Sequence, residues 1–375
     1  MSDAATAPEP DRVEGAPHPR ETPRLIGQQA AEGAFLEAFN SGRLHHGWLI
    51  TGPRGVGKAT LAWAIARFLL ATPDPGSDDG GLFGDAAPMP DSLAIPADHP
   101  VARRIAAGSD PGLFHITRSV NEKTGRLRDR IVADDVRSLN HFLHLSSTDG
   151  GRRVVLIDSA DEMNTQAANA LLKMLEEPPA RTVLLLVSHQ PSRLLPTIRS
   201  RCRELRLAPL GAQDMAAALE QAGISPDADA SALAELSAGS VGEAVRLINL
   251  GGVAMYREIV EIAATMPRLD RARALGLAEA AATRGAEEKL DLLLGLTDLF
   301  LARLARGGTL GPPPEAVPGE SALIARLSPS PHAGRAWAEC AQMIGARARH
   351  GRAVNLDPAA LVLDTVFKIQ QTAAG

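Results

Sequence analysis

Three stretches of the chain are apolar without a polar interruption: GWLITG (47–52), the VVLID segment (154–158) of RRVVLIDSA (152–160), and TVLLLVS (182–188). Each is short, rich in β-branched residues and bounded by Gly, Asp or Ser, which predicts strands buried on both faces of a parallel sheet. LFHITR (113–118) and RELRLAPL (203–210) read as further strands. Between them the period changes. QQAAEGAFLEAFN (28–40) carries Ala31, Phe35 and Phe39 at helical spacing, and ATLAWAIARFLLA (59–71) is a strongly apolar helix. ADDVRSLNHFLHL (133–145) reads as a helix capped by Asp134. TQAANALLKMLEE (165–177) reads as another, capped by Asn164 and stopped by Pro178 and Pro179. Strands alternating with helices predict an α/β domain with helices on both faces of a parallel sheet. After Pro209 only the helical period remains. Residues 211–250 read as a small helical unit, and 255–371 as a larger helical region interrupted by the loop GGTLGPPPEAVPGE (307–320). The predicted organisation is a disordered tail at 1–23, an α/β domain at 24–210, a helical lid at 211–250 and a helical C-terminal oligomerisation domain at 251–375.

Composition narrows the function classes. Apolar residues make up 45% of the 375 residues and aromatic ones only 3%, so aliphatic side chains do most of the packing. The net charge of −5 argues against a broad basic surface for nucleic acid. Cys202 and Cys340, far apart, form neither a disulfide framework nor a metal-ligand pair. The N-terminus has no apolar signal region, and no stretch suits a bilayer. These features point to a soluble cytoplasmic protein with no membrane partner.

The strand at 47–52 runs through GPRGVGK (52–58) into a helix, the context that makes a phosphate loop credible. Gly52, Gly55 and Gly57 let backbone N–H groups crowd around phosphates, and Lys58 adds positive charge. The motif is incomplete. The residue after the lysine, whose hydroxyl would hold Mg²⁺, is Ala59. Asp158 ends a buried strand where P-loop ATPases keep a magnesium-binding carboxylate. Ser159 follows it and cannot act as a carboxylate base. Asp161 and Glu162 are expected to open the next loop or helix. Ser188 and His189 end a buried strand, and a lone histidine there is read as structural. These residues form a degenerate nucleotide site: Gly52, Gly55, Gly57, Lys58 and Asp158.

With NALLKMLEEPPARTVLLLVSHQPSRLLPTIRSRC (169–202) the chain resembles the bacterial clamp-loader subunits of the AAA+ superfamily. The resemblance reaches upstream through LIGQQ (25–29), the phosphate loop and the strand at 154–158, and covers about residues 24–250. It implies an AAA+ P-loop parallel-sheet domain, a small helical lid and a helical C-terminal collar. Two kinds of subunit share these motifs, the ATPase kind (gamma or tau) and the delta prime kind of DNA polymerase III, which does not use its own nucleotide site. In the ATPase kind GSxRxA supplies a sensor arginine. Here GSVGEA (239–244) puts Gly242 at that position. Ala59, Ser159 and Gly242 together favour the delta prime kind.

The resemblance further implies that Arg201, in Ser200-Arg201-Cys202, reaches the ATP of a neighbouring subunit as an arginine finger. From the segment alone, pairing with a surface acid is equally open. Many relatives carry a four-cysteine zinc module after the phosphate-loop helix. Here that interval, 72–100, is rich in Pro, Gly and Asp and holds no cysteine, so no zinc is expected. No cofactor is expected to be required, and the retained loop leaves weak ATP binding open. The implied partners are the gamma/tau ATPase subunits and delta, and indirectly the sliding clamp and primer-template DNA. The rival readings are an active gamma-like ATPase and an ATP-binding sensor that does not hydrolyse.

Overall fold

The computed structural model describes residues 12–73, 89–121, 123–144, 151–225, 230–283, 285–354 and 356–375. Two compact units emerge. One takes the chain up to Leu210 together with Glu220–Gly223 and Ser240–Gly242, and the other takes the remainder from Gly211 onward.

The first unit is an α/β domain with a parallel sheet, as the alternation of strands and helices predicts. Its strands are β1 (Gly47–Thr51), β2 (Leu113–Ile116), β3 (Arg153–Asp158), β4 (Thr182–Ser188) and β5 (Arg203–Arg206), in the order β2-β3-β4-β1-β5. Every pairing is parallel. Every residue of β1 and β4 is buried, as their unbroken apolar sequences require. Helices α1 (Gln29–Asn40), α2 (Lys58–Ala71), α3 (Pro100–Ala106), α4 (Ala133–His144), α5 (Thr165–Glu176) and α6 (Pro196–Arg199) complete the unit. Aromatic residues, scarce in the chain, gather where α1 and α2 meet β1. Phe35 lies 5.0 Å from Trp48 and Phe39 4.8 Å from Phe68, ring centre to ring centre. Another cluster, built from Val136, Leu139, Leu171 and Leu175 with strand residues such as Val155 and Leu184, is aliphatic.

Capping chemistry marks helix ends accurately where the cap is local. Asn164 accepts the Ala167 N–H at 2.8 Å, and α5 stops just short of the two prolines. At α4 the cap differs from expectation. Asp134 pairs with Arg137, while Asp135 accepts the Val132 N–H at 2.8 Å. The interval 72–100 falls partly outside the described residues, at 74–88. The chain beyond it forms α3, with Pro100 in its first turn and the His99 ring accepting the Val101 N–H at 3.2 Å.

The expected disordered tail at 1–23 is corrected for residues 12–23, and its first part, 1–11, lies outside the described residues. Arg67 lies in the apolar helix α2 and needs acceptors. It finds them in the carbonyls of Arg20 at 2.7 Å and Thr22 at 2.9 Å. His18 is buried edge-on to Trp63.

Among the described residues the second unit contains helices only: α7 (Ala212–Gln221, whose last residues fall in the first unit), α8 (Ala230–Leu236), α9 (Val241–Leu250, whose first residues do likewise), α10 (Gly252–Ala264), α11 (Arg271–Ala281), α12 (Glu287–Leu310), α13 (Glu320–Leu327), α14 (Pro331–Ala353) and α15 (Pro358–Ala373). The loop expected at 307–320 begins later, at Gly311, because Gly307 and Gly308 stay helical. Their lack of side chains serves packing instead of a turn. A Cβ on Gly308 would lie 2.5 Å from the Ser330 carbonyl, and one on Gly334 2.6 Å from the Ala305 carbonyl, so α12 and α14 cross backbone to backbone there.

Candidate functional site

Parallel sheets bind ligands at the C-terminal ends of their strands. Three such ends lie side by side here. Thr51 pairs with Ser188, and Asp158 with Val187. The phosphate loop leaves β1 at Gly52, whose φ of +144° and whose missing Cβ, 2.6 Å from the Leu207 carbonyl, require glycine. Gly55 and Gly57 are also at positive φ. The buried Gln28 side chain, from LIGQQ, donates to the carbonyls of Val56 at 3.2 Å and Ala208 at 2.7 Å, and accepts the Ala208 N–H at 3.1 Å. It fixes the loop against the exit of β5.

Lys58, at the start of α2, is almost fully buried. Its ammonium donates back into its own loop, to the Gly52 carbonyl at 2.8 Å and to the Pro53 carbonyl. Burial lowers its pKa to about 8 against the opposing pull of Asp158 and Asp161. The crown of the loop is covered as well. The Gly55 carbonyl accepts the Val241 N–H at 2.9 Å, and a Cβ on Gly55 would fall 2.1 Å from Ser240 Oγ. Gly242, where the resemblance implies a sensor arginine in ATPase relatives, has its own Cβ direction 3.5 Å from Gly55 Cα.

Beyond β3, Ser159 follows Asp158, where the resemblance implies a water-activating carboxylate in ATPase relatives. Its Oγ lies 2.9 Å from Asp158 Oδ1 and 2.8 Å from His189 Nε2. Burial first, then Lys58, pushes His189 down to about 4, with Asp161 opposing. The ring is therefore neutral near pH 7. A neutral ring that donates Nε2–H to Ser159, which donates in turn to Asp158, satisfies both contacts. The sequence pattern gives His189 no catalytic role and does not reveal this three-residue chain. The only signal for it is that both strands end at the same level.

Asp161 and Glu162 lie, as expected, in a 3₁₀ turn after β3, Ala160–Glu162. They are not idle there. The Asp161 carboxylate accepts the N–H groups of His189 at 2.9 Å and Gln190 at 3.2 Å, tying down the exit of β4. Glu162 pairs with Arg54 of the phosphate loop and with Arg118, each at 3.0 Å.

The phosphate cradle is thus present in outline, but the residues do not fit magnesium-dependent hydrolysis. Ala59 offers no hydroxyl, Asp158 is engaged by Ser159, and the following position carries no carboxylate. Among the described residues no cluster of His, Cys, Asp and Glu could hold a metal ion. None of their helices is long and apolar enough to cross a membrane.

Arg201 lies elsewhere, after α6. Its guanidinium pairs with Glu176 at the end of α5, at 2.9 Å, and donates to the Thr197 carbonyl at 3.0 Å. The side chains of Arg201 and Glu176 are 37% and 48% exposed. Two tethers engage one donor each on Nη1 and Nη2, so the remaining N–H groups of the fork stay available. Cys202 beside it is half-buried, and desolvation pushes its thiol up to about 12, which makes it inert.

Residues 27–211 match the profile of the family described as DNA polymerase III, delta subunit. The chain is 39% identical to the DNA polymerase III subunit delta' of Pseudomonas aeruginosa over 60% of its length and 61% of that protein. It is 34% identical to the subunit delta' of Escherichia coli over 57% of each chain. It is 26% identical to the DNA polymerase III subunit gamma/tau of Mycobacterium tuberculosis over 86% of this chain and 58% of that one. The match spans about three fifths of the length of these relatives.

Proposed function

We propose that this chain, whose residues 27–211 match the family model described as DNA polymerase III, delta subunit, is a delta prime subunit and serves as a non-hydrolysing, stator-like member of a bacterial clamp loader. In that role it is not catalytic on its own. It joins gamma/tau ATPase subunits and delta in a cytoplasmic hetero-oligomer, through its C-terminal helical collar. The assembly opens a sliding clamp and closes it on primer-template DNA as part of the polymerase holoenzyme. Arg201 reaches the ATP of an adjacent ATPase subunit and stabilises charge on the transferring phosphate.

The observation that carries this reading is the hydroxyl of Ser159, hydrogen-bonded to Asp158 and His189 where a hydrolytic site needs a free carboxylate. Lys58, folded into its own loop, supports it. The rival reading as a gamma-like ATPase draws on the gamma/tau relatives, but requires turnover from a site built around Ala59, Ser159 and Gly242.

The test is reconstitution with the ATPase subunits. Arg201→Ala is expected to slow hydrolysis at the one site it serves by about a thousandfold or more, lowering the DNA-stimulated turnover of the complex while size-exclusion chromatography finds assembly intact. Lys58→Ala is expected to leave that turnover unchanged. If Lys58→Ala abolishes it and Arg201→Ala does not affect it, the roles are assigned wrongly.

A further inference from the structure

The end of the sheet opposite the phosphate loop carries a joint that the nucleotide site does not use. Helix α5 runs up to Pro178 and Pro179, and neither residue has an N–H. The carbonyls of Met174 and Leu175 therefore lack the helical bond that a residue four places on would supply. For Leu175 the donor comes from the entry to β1. His46 Nε2 lies 3.0 Å from that carbonyl, and facing a carbonyl it carries the proton and donates it. The His46 ring is braced in turn. His45 stacks on it, with ring centres 4.4 Å apart and planes 24° apart. The backbone of the pair is fixed as well. The His46 carbonyl accepts the Leu184 N–H of β4 at 2.7 Å, and the His45 carbonyl accepts Trp48 Nε1–H at 2.9 Å.

The same joint holds Arg201. A Cβ on Gly47 would lie 3.0 Å from the Arg201 carbonyl, 3.1 Å from Leu175 Cδ2 and 3.3 Å from Cys202 Sγ, so the end of α5 and the Arg201–Cys202 turn close over one glycine. Glu176, the residue after Leu175, pairs with Arg201 Nη2 at 2.9 Å. The Thr197 carbonyl takes only Nη1. A continuous path thus runs from the His46 ring through the Leu175 carbonyl and the Glu176 carboxylate to the guanidinium.

We propose that His46 is a positioning residue for Arg201. It holds the last turn of α5 by the carbonyl next to Glu176, sets where that carboxylate stands, and through it sets the direction of the guanidinium. The prolines leave the helix unable to do this with its own bonds. A group that acts across a subunit boundary depends on aim, because a misplacement of about 1 Å can cost about a hundredfold in rate. His46 itself touches no substrate. The inference rests on the reading above, in which Arg201 serves the ATP of a neighbouring subunit.

The test is steady-state ATP turnover of the reconstituted complex on primed DNA. His46→Phe keeps a ring against His45 and removes the donor, whereas His46→Gln keeps an amide donor and removes the ring. His46→Phe is expected to lower kcat about two- to fivefold with the KM for ATP unchanged, because it acts through one exposed ion pair. His46→Gln is expected to recover kcat to within about twofold of wild type. In an Arg201→Ala background His46→Phe should change nothing further. A wild-type kcat for His46→Phe overturns the proposal. So does an equal loss with and without Arg201, which would make His46 a helix cap and no more. Loss of both His46→Phe and His46→Ala from the complex by size-exclusion chromatography, with His46→Gln retained, overturns it in the same way. Arg201→Ala alone separates the two readings. If it leaves turnover at the wild-type level, the functional reading fails. If it lowers turnover while His46→Phe does not, the positioning proposal fails alone.

Discussion

Ser159 links two groups that a carboxylate in its place would repel or disorder, and His189 stays neutral as the far end of that link. The folded state lowers the pKa of this imidazole from 6.5 to about 4, so between those values the unfolded chain binds more protons than the folded one. Stability from this group therefore rises with pH across that window and is lost as the pH falls through it. The charges that act on the ring are Lys58, Asp161 and Arg54, with Asp158 behind Ser159. The expected result is an imidazole signal that stays neutral by NMR down to about pH 5. His189→Gln is expected to flatten the dependence of urea stability on pH in the same window. Titration of the ring near pH 6.5 would contradict the burial argument.

Arg201 invites a second test at the same scale. The Glu176 contact is an exposed ion pair, worth about 0–1 kcal/mol, so its effect lies in aim more than in strength. Glu176→Gln is expected to lower turnover of the reconstituted complex about two- to fivefold, with the KM for ATP unchanged. It should have no effect in an Arg201→Ala background, and a residual effect there would mean that Glu176 acts on its own. The glycines, Lys58 and Asp158 stand out in the sequence because their spacing is local, whereas Arg201 is singled out only by the family resemblance. Ser159 and His189 are 30 positions apart, and only the pairing of β3 with β4 brings them together.

At the scale of elements, apolar runs and caps located the five strands and the helices that flank them. Four features escaped. Residues 12–23 look like a tail by composition and are held by the buried needs of Arg67 and by His18 on Trp63. Helix α3 follows a proline-rich stretch that masks its start. The chain reversal at 118–130, where Val120 and Leu127 make an antiparallel bridge, is too polar to announce a strand. Gly307 and Gly308 read as a break and act as a close crossing.

The most demanding element contact lies in the second unit, where Glu320 is wholly buried. Its carboxylate accepts from Arg303 Nε at 2.6 Å, Arg303 Nη2 at 3.0 Å, Tyr256 OH at 2.6 Å and the Ala316 N–H at 2.8 Å. Arg303 also reaches Glu235 of α8 at 3.3 Å. Together these bonds tie α8, α10, α12 and α13. Burial, and the negative charge of Glu320 beside it, hold the Tyr256 phenol far above its usual range. Removing one partner strands the others. Glu320→Ala is expected to cost about 3–5 kcal/mol, because it leaves the buried Arg303 with only its longer contact to Glu235 as a counter-charge. Tyr256→Phe is expected to cost about 1–2 kcal/mol. Hydrogen exchange in α12 and α13 measures both, and equal costs would mean that the charge is not the organising group.

For the molecule as a whole, the question is whether the phosphate loop has become part of the protein's own structure. Its lysine donates to the carbonyls of Gly52 and Pro53, its crown accepts a backbone N–H from Val241, and the Cβ direction of Gly55 is filled by Ser240. A nucleotide must turn Lys58 out of these contacts before its phosphates gain the cradle, and the set of groups that would add magnesium is incomplete at Ala59 and Asp158. Differential binding has to cover that rearrangement. Isothermal titration of the isolated chain with ATP is therefore expected to give a dissociation constant weaker than about 1 mM, unaltered by Mg²⁺, and the chain alone should release no phosphate. Lys58→Ala should then change neither the titration nor the activity of the reconstituted complex. A micromolar constant that tightens with Mg²⁺ and weakens in Lys58→Ala would mean that the loop still functions as a nucleotide site. The proposed division of labour with the ATPase subunits would then have to allow for a nucleotide bound here.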